Sequence, residues 1–391
     1  MADRPDDVEL VKQRLSENPS EEFLEQIAST VVDEIAESFP EFVLKSRPMT
    51  EVLAEFREHK LEAVETTSHY TRKLDYLETY LQTAGITTTQ DLTSEDVERY
   101  RSWRKYESLS RAKPLANNTL RDDMYLFREF IRYLIEHRMA PVRFEHCVEI
   151  PRVDRDRGEG VDEKQLVPEV AQAALAYLRT FRYATVEHVT MELMCQAGPR
   201  KSGLRALDVG DFNRQTGVLT FRHREGTPLK NNEQSEREIT LYGQTPGIIR
   251  DHLAHVRPPV RDALGREPLL TKGDGRISPS MLQKIAYMWT RPCVVGLECP
   301  HDRDPDECEA AQANDAAFRC PSSRAPHHVR TGYITDQRNR GVSSDAIQQR
   351  CDVSPRVQAL HYDLPDSTEE RERFEDEFRA VGDDPESGYA Q

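Results

Sequence analysis

Apolar residues recur three and four positions apart over much of the chain, the period of a helix with one buried face. In residues 68–84 the repeat is Tyr70, Leu74, Leu77 and Leu81, and Gly85 stops it. Thr93, followed by Ser94 and Glu95, opens the next helix with a capping residue and early acid, and Val97 and Tyr100 point inward. Asn117, Asn118 and Thr119 start a third, with Leu120, Met124, Phe127 and Ile131 on its buried face. Short, closely spaced helices with Arg and Lys outside predict a small bundle. Pro141, Pro151, Gly158 and Gly160, set among charged residues, then break the pattern. Residues 168–181 and 185–196 are again helical. Residues 218–222 and 237–241 alternate apolar with polar, which predicts a β-hairpin with a long loop. Helices resume at about Pro246 and about Ser278, a cysteine-rich stretch interrupts them, and three short helices lie between Pro326 and Tyr362.

The fold class is mainly α, with an α+β second domain that is mostly helical around a small antiparallel sheet. At 391 residues the chain has room for two cores. An acidic helical extension spans 1–46, either solvated or an oligomer contact. A helical domain spans 47–148, a linker 149–161, and the second domain 162–391. That domain carries an insert at about 293–320 and an acidic tail after Asp363, predicted as one helix and a frayed end.

Composition narrows the class. No segment approaches the roughly 20 apolar residues of a membrane span. The acidic start at 1–22 lacks a basic flank and an apolar stretch, so no secretory signal is expected and the cytoplasm is the expected location. Of seven cysteines, Cys147 and Cys195 stand alone in apolar surroundings and are expected as buried thiols, and Cys351 stands alone in a polar helix. Cys293, Cys299, Cys308 and Cys320 fall within one stretch. A net charge of −16 argues against a nucleic-acid partner. Yet Arg outnumbers Lys, which suits bidentate phosphate contact. The acid also gathers in the first 40 residues, in 302–309 and after Asp363. High acid with scarce Lys resembles proteins of salt-loving organisms, where salt screens phosphate attraction.

Four separate elements carry chemistry. Pro326 suits a first helical turn, which puts His327 and Arg330 three apart on one face near a helix N-terminus, where an anion is favoured. Arg200 follows the helix-ending Gly198 in the turn before the next helix. Lys230 lies in the hairpin loop, from which a lone ammonium could reach a site. Ser354 and Pro355 open a helix that brings Tyr362 two turns on. Each of these residues alone is compatible with an ordinary surface side chain.

In this order the pieces resemble the tyrosine recombinases, the phage-integrase and Xer-type family. Cys351-Asp352-Val353-Ser354-Pro355 with His361-Tyr362-Asp363 looks like the ending of haloarchaeal integrases. The helical domain is similar to the family's core-binding domain, and the resemblance covers nearly everything after residue 46. It implies a site-specific DNA recombinase or integrase working on double-stranded DNA. Tyr362 would attack phosphorus, Arg200 and Arg330 would clamp the phosphate, and Lys230 would protonate the leaving 5′-oxygen. His327 would assist proton transfer or hydrogen-bond the phosphate, and the product would be a 3′-phosphotyrosine. No cofactor is required for that chemistry. Self-association on DNA, as a tetramer in the synaptic complex, is implied too.

Two positions depart from the family pattern. Asp352 stands where the family has His or Trp, and an ionised carboxylate there would repel a phosphate unless it faces away, is protonated or holds a neighbouring Arg. Gly203 stands where a bracing Glu or Asp is frequent. A second reading follows: a DNA-binding recombinase homologue with impaired catalysis, acting as a regulator or accessory factor. The third is a zinc-stabilised interaction module. Cys299, His301, Cys308 and Cys320 are the expected ligands of a structural zinc, with Cys293 the alternative to His301, against free thiols or a disulfide. Such a metal would pin the loop before His327.

Overall fold

The computed structural model describes residues 44–63, 67–108, 114–153 and 162–382. The expected extension over 1–46 therefore lies almost wholly outside the described residues, as does the end of the tail. The chain divides into two compact units at Gly160/Val161.

The first unit is all helix: α1 (Met49–Glu62), α2 (Thr67–Thr83), α3 (Ser94–Ser102), α4 (Asn117–Glu136) and α5 (Arg143–Cys147). The apolar repeat packs as its period requires. Leu74, Leu77, Leu81, Val97, Tyr100, Leu120, Met124, Phe127 and Ile131 are all buried, and Tyr70 is packed at their edge. At the start of α3 the Thr93 hydroxyl accepts from the Asp96 amide (3.2 Å), and the Asp96 carboxylate accepts from the Thr93 amide (3.0 Å). That reciprocal pair satisfies two otherwise orphaned donors. Arg104, Asp123 and Lys73 form a buried ionic group, with Arg104 to Asp123 at 2.8 Å and the Arg104 guanidinium 3.7 Å from the Tyr76 ring centre.

The second unit runs α6 (Pro168–Phe181), α7 (Val186–Ala197), α8 (Lys201–Ala206), β1 (Val218–Phe221), β2 (Arg237–Thr240), α9 (Thr245–Asp251), β3 (Thr271–Lys272), β4 (Gly275–Arg276), α10 (Pro279–Trp289), α11 (Glu309–Gln312), α12 (Pro326–Asn339), α13 (Ser344–Cys351), α14 (Pro355–His361) and α15 (Ser367–Gly382). It is mostly helical with two small antiparallel sheets. β1 pairs with β2 from Val218 opposite Thr240 to Phe221 opposite Arg237. The β3–β4 hairpin is unforeseen, because two-residue strands are too short to show alternation. A main core joins α6, α7, α10 and the β1–β2 sheet through Leu175, Leu178, Val189, Leu193, Leu219, Ile239 and Ile285. A separate small core of Tyr333, Ile334, Ile347, Cys351, Val353 and Tyr362 fixes α12, α13 and the end of α14 to one another.

The cysteines depart from expectation. Cys147 and Cys195 are only half-buried, whereas Cys351, the last residue of α13, is fully buried in the small core. Its helix is polar on the outside and apolar on the face that packs. All seven cysteines are free.

Candidate active site

α7 ends at Gly198, whose φ of +55° and place against Tyr333 both demand glycine. A Cβ there would sit 2.3 Å from Tyr333 Cδ1. That tight turn sets Arg200 at the N-cap of α8, and α12 begins with Pro326 in its first turn.

Arg330 points inward from α12 and is 2% exposed. One terminal nitrogen, Nη1, donates to Gly198 O and to Cys351 O, both at 2.7 Å. Its Nε and Nη2 are buried with no hydrogen-bond partner, and no carboxylate pairs with it among the described residues. Burial pulls the guanidinium's pKa below its ordinary value; Cys351 and Tyr362 favour its charge, and Arg200 opposes it. The guanidinium carbon lies 4.7 Å from the centre of the Tyr362 ring.

Tyr362 closes α14 rather than sitting within it, and it is buried, not the surface side chain its sequence context alone suggests. Its carbonyl accepts from Thr335 Oγ1 on α12 at 2.9 Å. The His327 ring lies 5.1 Å from the Tyr362 ring, centre to centre, tilted at 54° to it, and the residue stays exposed to solvent. Packing holds the His327 pKa below the usual imidazole range, with His328 and Arg330 adding to the effect. Its neutral form is therefore favoured.

Asp352 is the C-cap of α13, in a left-handed conformation at φ +53°. Its Oδ2 accepts from Arg200 Nη1 and, at 2.8 Å, from the Ser235 hydroxyl. Of the three dispositions open to this carboxylate, the structure has the one that holds an arginine. Ser235 Oγ in turn accepts from the Asn231 amide at 3.2 Å, tying the hairpin loop to the site. Gly203, in the interior of α8, offers no side chain to Arg200.

Arg200, Arg330, His327, Tyr362 and Asp352 are thus linked through direct contacts or shared partners. Lys230 is not among them: it is exposed on the β1–β2 loop, and its ammonium makes no hydrogen bond or ion pair among the described residues. A third arginine, which the sequence reading missed, is Arg237 at the start of β2. Its Nε donates to Arg350 O and its Nη1 to Ser235 O, both at 2.9 Å, and its guanidinium lies 4.1 Å from the Phe221 ring centre. Burial brings its pKa down to about 10, with Asp352 opposing and Arg330 and Arg200 reinforcing the fall. An open groove of about 990 Å³ runs beside it, lined by Ser235, Arg237, Tyr333, Gln348, Arg350 and Asp352.

The zinc expectation finds no support in the geometry. Among the described residues no three His, Cys, Asp or Glu side chains are arranged to hold a metal ion. His301 Nε2 is hydrogen-bonded to Ser322 Oγ at 2.9 Å. Burial pushes the Cys293 thiol up, and Cys299 and Cys320 add to it, so these thiols share a neighbourhood without a common centre. Cys299, His301, Cys308 and Cys320 thus form no four-ligand group of the closed zinc kind among the described residues.

No known family profile and no curated protein matches the chain by sequence. Its fold, in contrast, is that of solved tyrosine recombinases. The Tn1549 transposon integrase in complex with transposon right-end DNA aligns over 85% of this chain and 100% of its own, with a TM-score of 0.54 at 13% identity. A lambda integrase tetramer bound to a Holliday junction aligns over 86% of each chain, with a TM-score of 0.53 at 9% identity. A lambda integrase dimer bound to a COC′ core site aligns over 94% of this chain and 85% of its own, at 0.51 and 10%. These likenesses lend no support to the finer resemblance to haloarchaeal integrases. No described helix is long and apolar enough to cross a membrane.

Proposed function

We propose that this chain is a cytoplasmic site-specific DNA recombinase that cuts and rejoins strands of duplex DNA through Tyr362, self-associating on its DNA as lambda integrase does in its dimer on a core site and its tetramer on a Holliday junction. One observation carries the reading. Arg330 is a buried cation with two guanidinium nitrogens uncommitted among the described residues, no carboxylate partner there and the Tyr362 ring against it. A buried charge so placed calls for an anion, and a phosphodiester supplies one.

In the reaction Tyr362 Oη attacks phosphorus. The O–P bond forms as the bond from phosphorus to the 5′-oxygen breaks. Arg330 and Arg200 donate to the non-bridging oxygens, where negative charge builds. His327, favoured neutral, accepts the tyrosine proton or donates to the phosphate. Lys230 protonates the departing 5′-oxygen, which requires the hairpin loop to bring it in once DNA is bound.

A nicked duplex that loses its short 3′ fragment on cleavage would trap the adduct. The wild type should form a covalent complex resistant to denaturant, and Tyr362→Phe should bind the duplex without forming it. Equal behaviour of the two removes the proposal. A second reading, a DNA-binding homologue with impaired catalysis, is favoured by the outlying Lys230 and by the carboxylate on Arg200. Duplex binding with no adduct from the wild type would select it.

A further inference from the structure

The geometry points to Asp352 as a positioning residue that sets the Arg200 guanidinium for the phosphate, an inference that rests on the strand-cleavage reading above. Arg200 is the less buried of the two clamping arginines and stands at a helix N-cap, where its own backbone gives the side chain no anchor. Asp352 is its only carboxylate partner among the described residues, and the contact uses one terminal nitrogen, Nη1. Its Nε and Nη2 make no hydrogen bond among the described residues, so both remain free for a ligand.

The backbone at 352 is adapted to this contact. A left-handed C-cap suits glycine best and is tolerated by Asp or Asn. Here it turns the carboxylate toward α8, while the carbonyl of the preceding Cys351 holds Arg330. Two consecutive residues thus place the two arginines, one through a side chain and one through the main chain. Ser235 donates to the same carboxylate oxygen, and Arg237 donates to the Ser235 carbonyl. The brace therefore reaches across to the hairpin whose loop carries Lys230.

A carboxylate that merely obstructed the phosphate and one that aligns its clamp predict opposite results. Removing a negative charge beside the phosphate should tighten or leave unchanged duplex binding. Losing alignment should slow the chemical step on the order of tenfold to a hundredfold. The test is Asp352→Gly, which suits the left-handed cap and so preserves the fold, together with Asp352→Asn, which retains an acceptor. Single-turnover cleavage of the nicked duplex and equilibrium binding are measured side by side, with thermal melting as the control.

The expected result is slower cleavage by Asp352→Gly with binding equal or tighter and melting at or above the wild type. Asp352→Asn should fall between the two. Adding Asp352→Gly to Arg200→Ala should cost little more, since the brace acts only through Arg200. Cleavage by Asp352→Gly at or above the wild-type rate overturns the inference, as does a loss that multiplies with that of Arg200→Ala. Absence of any adduct from the wild type would count against the strand-cleavage reading instead, so the two failures are separable.

Discussion

Gly332 lies in the middle of α12, two residues after Arg330 and five after His327, and its replacement by alanine should be costly. Alanine is ordinarily the better helix former by about 0.5–1 kcal/mol. Here a Cβ would stand 2.0 Å from Leu166 O, 2.9 Å from its carbonyl carbon and 3.0 Å from its nitrogen. Those are backbone atoms, so no rotamer change removes the clash. Residues 162–167 must retreat, and the Leu166 amide then loses its 3.0 Å bond to His328 O. An unmet buried polar group costs about 1–3 kcal/mol. Overpacking adds about 1–3 kcal/mol. After the helix gain the net is about 3 kcal/mol, which for a unit of this size lowers the melting midpoint by roughly 6–12 °C. Calorimetry on the full chain reads it, and adduct formation should fall as well, because α12 carries His327 and Arg330. Gly203→Ala is the control: its Cβ would meet Phe221 at an ordinary 3.4 Å. That variant should melt at or slightly above the wild type. Gly332→Ala melting within a degree of the wild type would refute the packing argument.

Lys230→Ala should slow cleavage of ordinary DNA, yet a substrate with sulfur in place of the 5′-bridging oxygen, a leaving group that needs no proton, should restore the rate; equal slowing on both substrates would deny Lys230 the acid's part. His252 is buried, and burial holds its pKa down, as packing does for His327. The unfolded chain therefore takes up protons below about pH 6.5 that the folded chain resists, so stability should fall as pH drops from 7 toward 5, and less so in His252→Gln. Denaturant titrations that are flat over that interval would contradict this. For the cysteine stretch, elemental analysis should find no stoichiometric zinc and chelator should not move the melting midpoint. One zinc per chain with a chelator-sensitive midpoint would mean that the thiols regroup around metal.

Helix beginnings are readable because capping chemistry is local: Thr93 with the early acid after it, Pro168, and Pro326 before His327 each announce themselves within four residues. The apolar face from Leu120 to Ile131 was readable for the same reason. The partner of Asp352 was not, since Arg200 lies 152 positions away and only the packed small core decides which of several arginines the carboxylate meets. Arg237 gave no signal, because a charged residue opening a short strand reads as outward-facing, and its burial depends on Phe221 across the sheet. In the stretch from Cys293 to Cys320, spacing describes the ligands available but not whether the loops turn their sulfurs to one point. The sequence puts Tyr362 two turns into a helix, whereas it closes that helix and packs into the small core.

Arg330 is held in the interior by two main-chain oxygens, each at the carboxyl end of a helix, Gly198 after α7 and Cys351 closing α13. Those ends carry partial negative charge from the aligned peptide dipoles. A carboxylate counter-ion would neutralise the guanidinium, could be protonated, and would compete with any incoming anion. Peptide carbonyls do none of these. The arginine is thus solvated by the fold itself, while its charge, not cancelled by a counter-ion, stays presented to whatever arrives beside Tyr362.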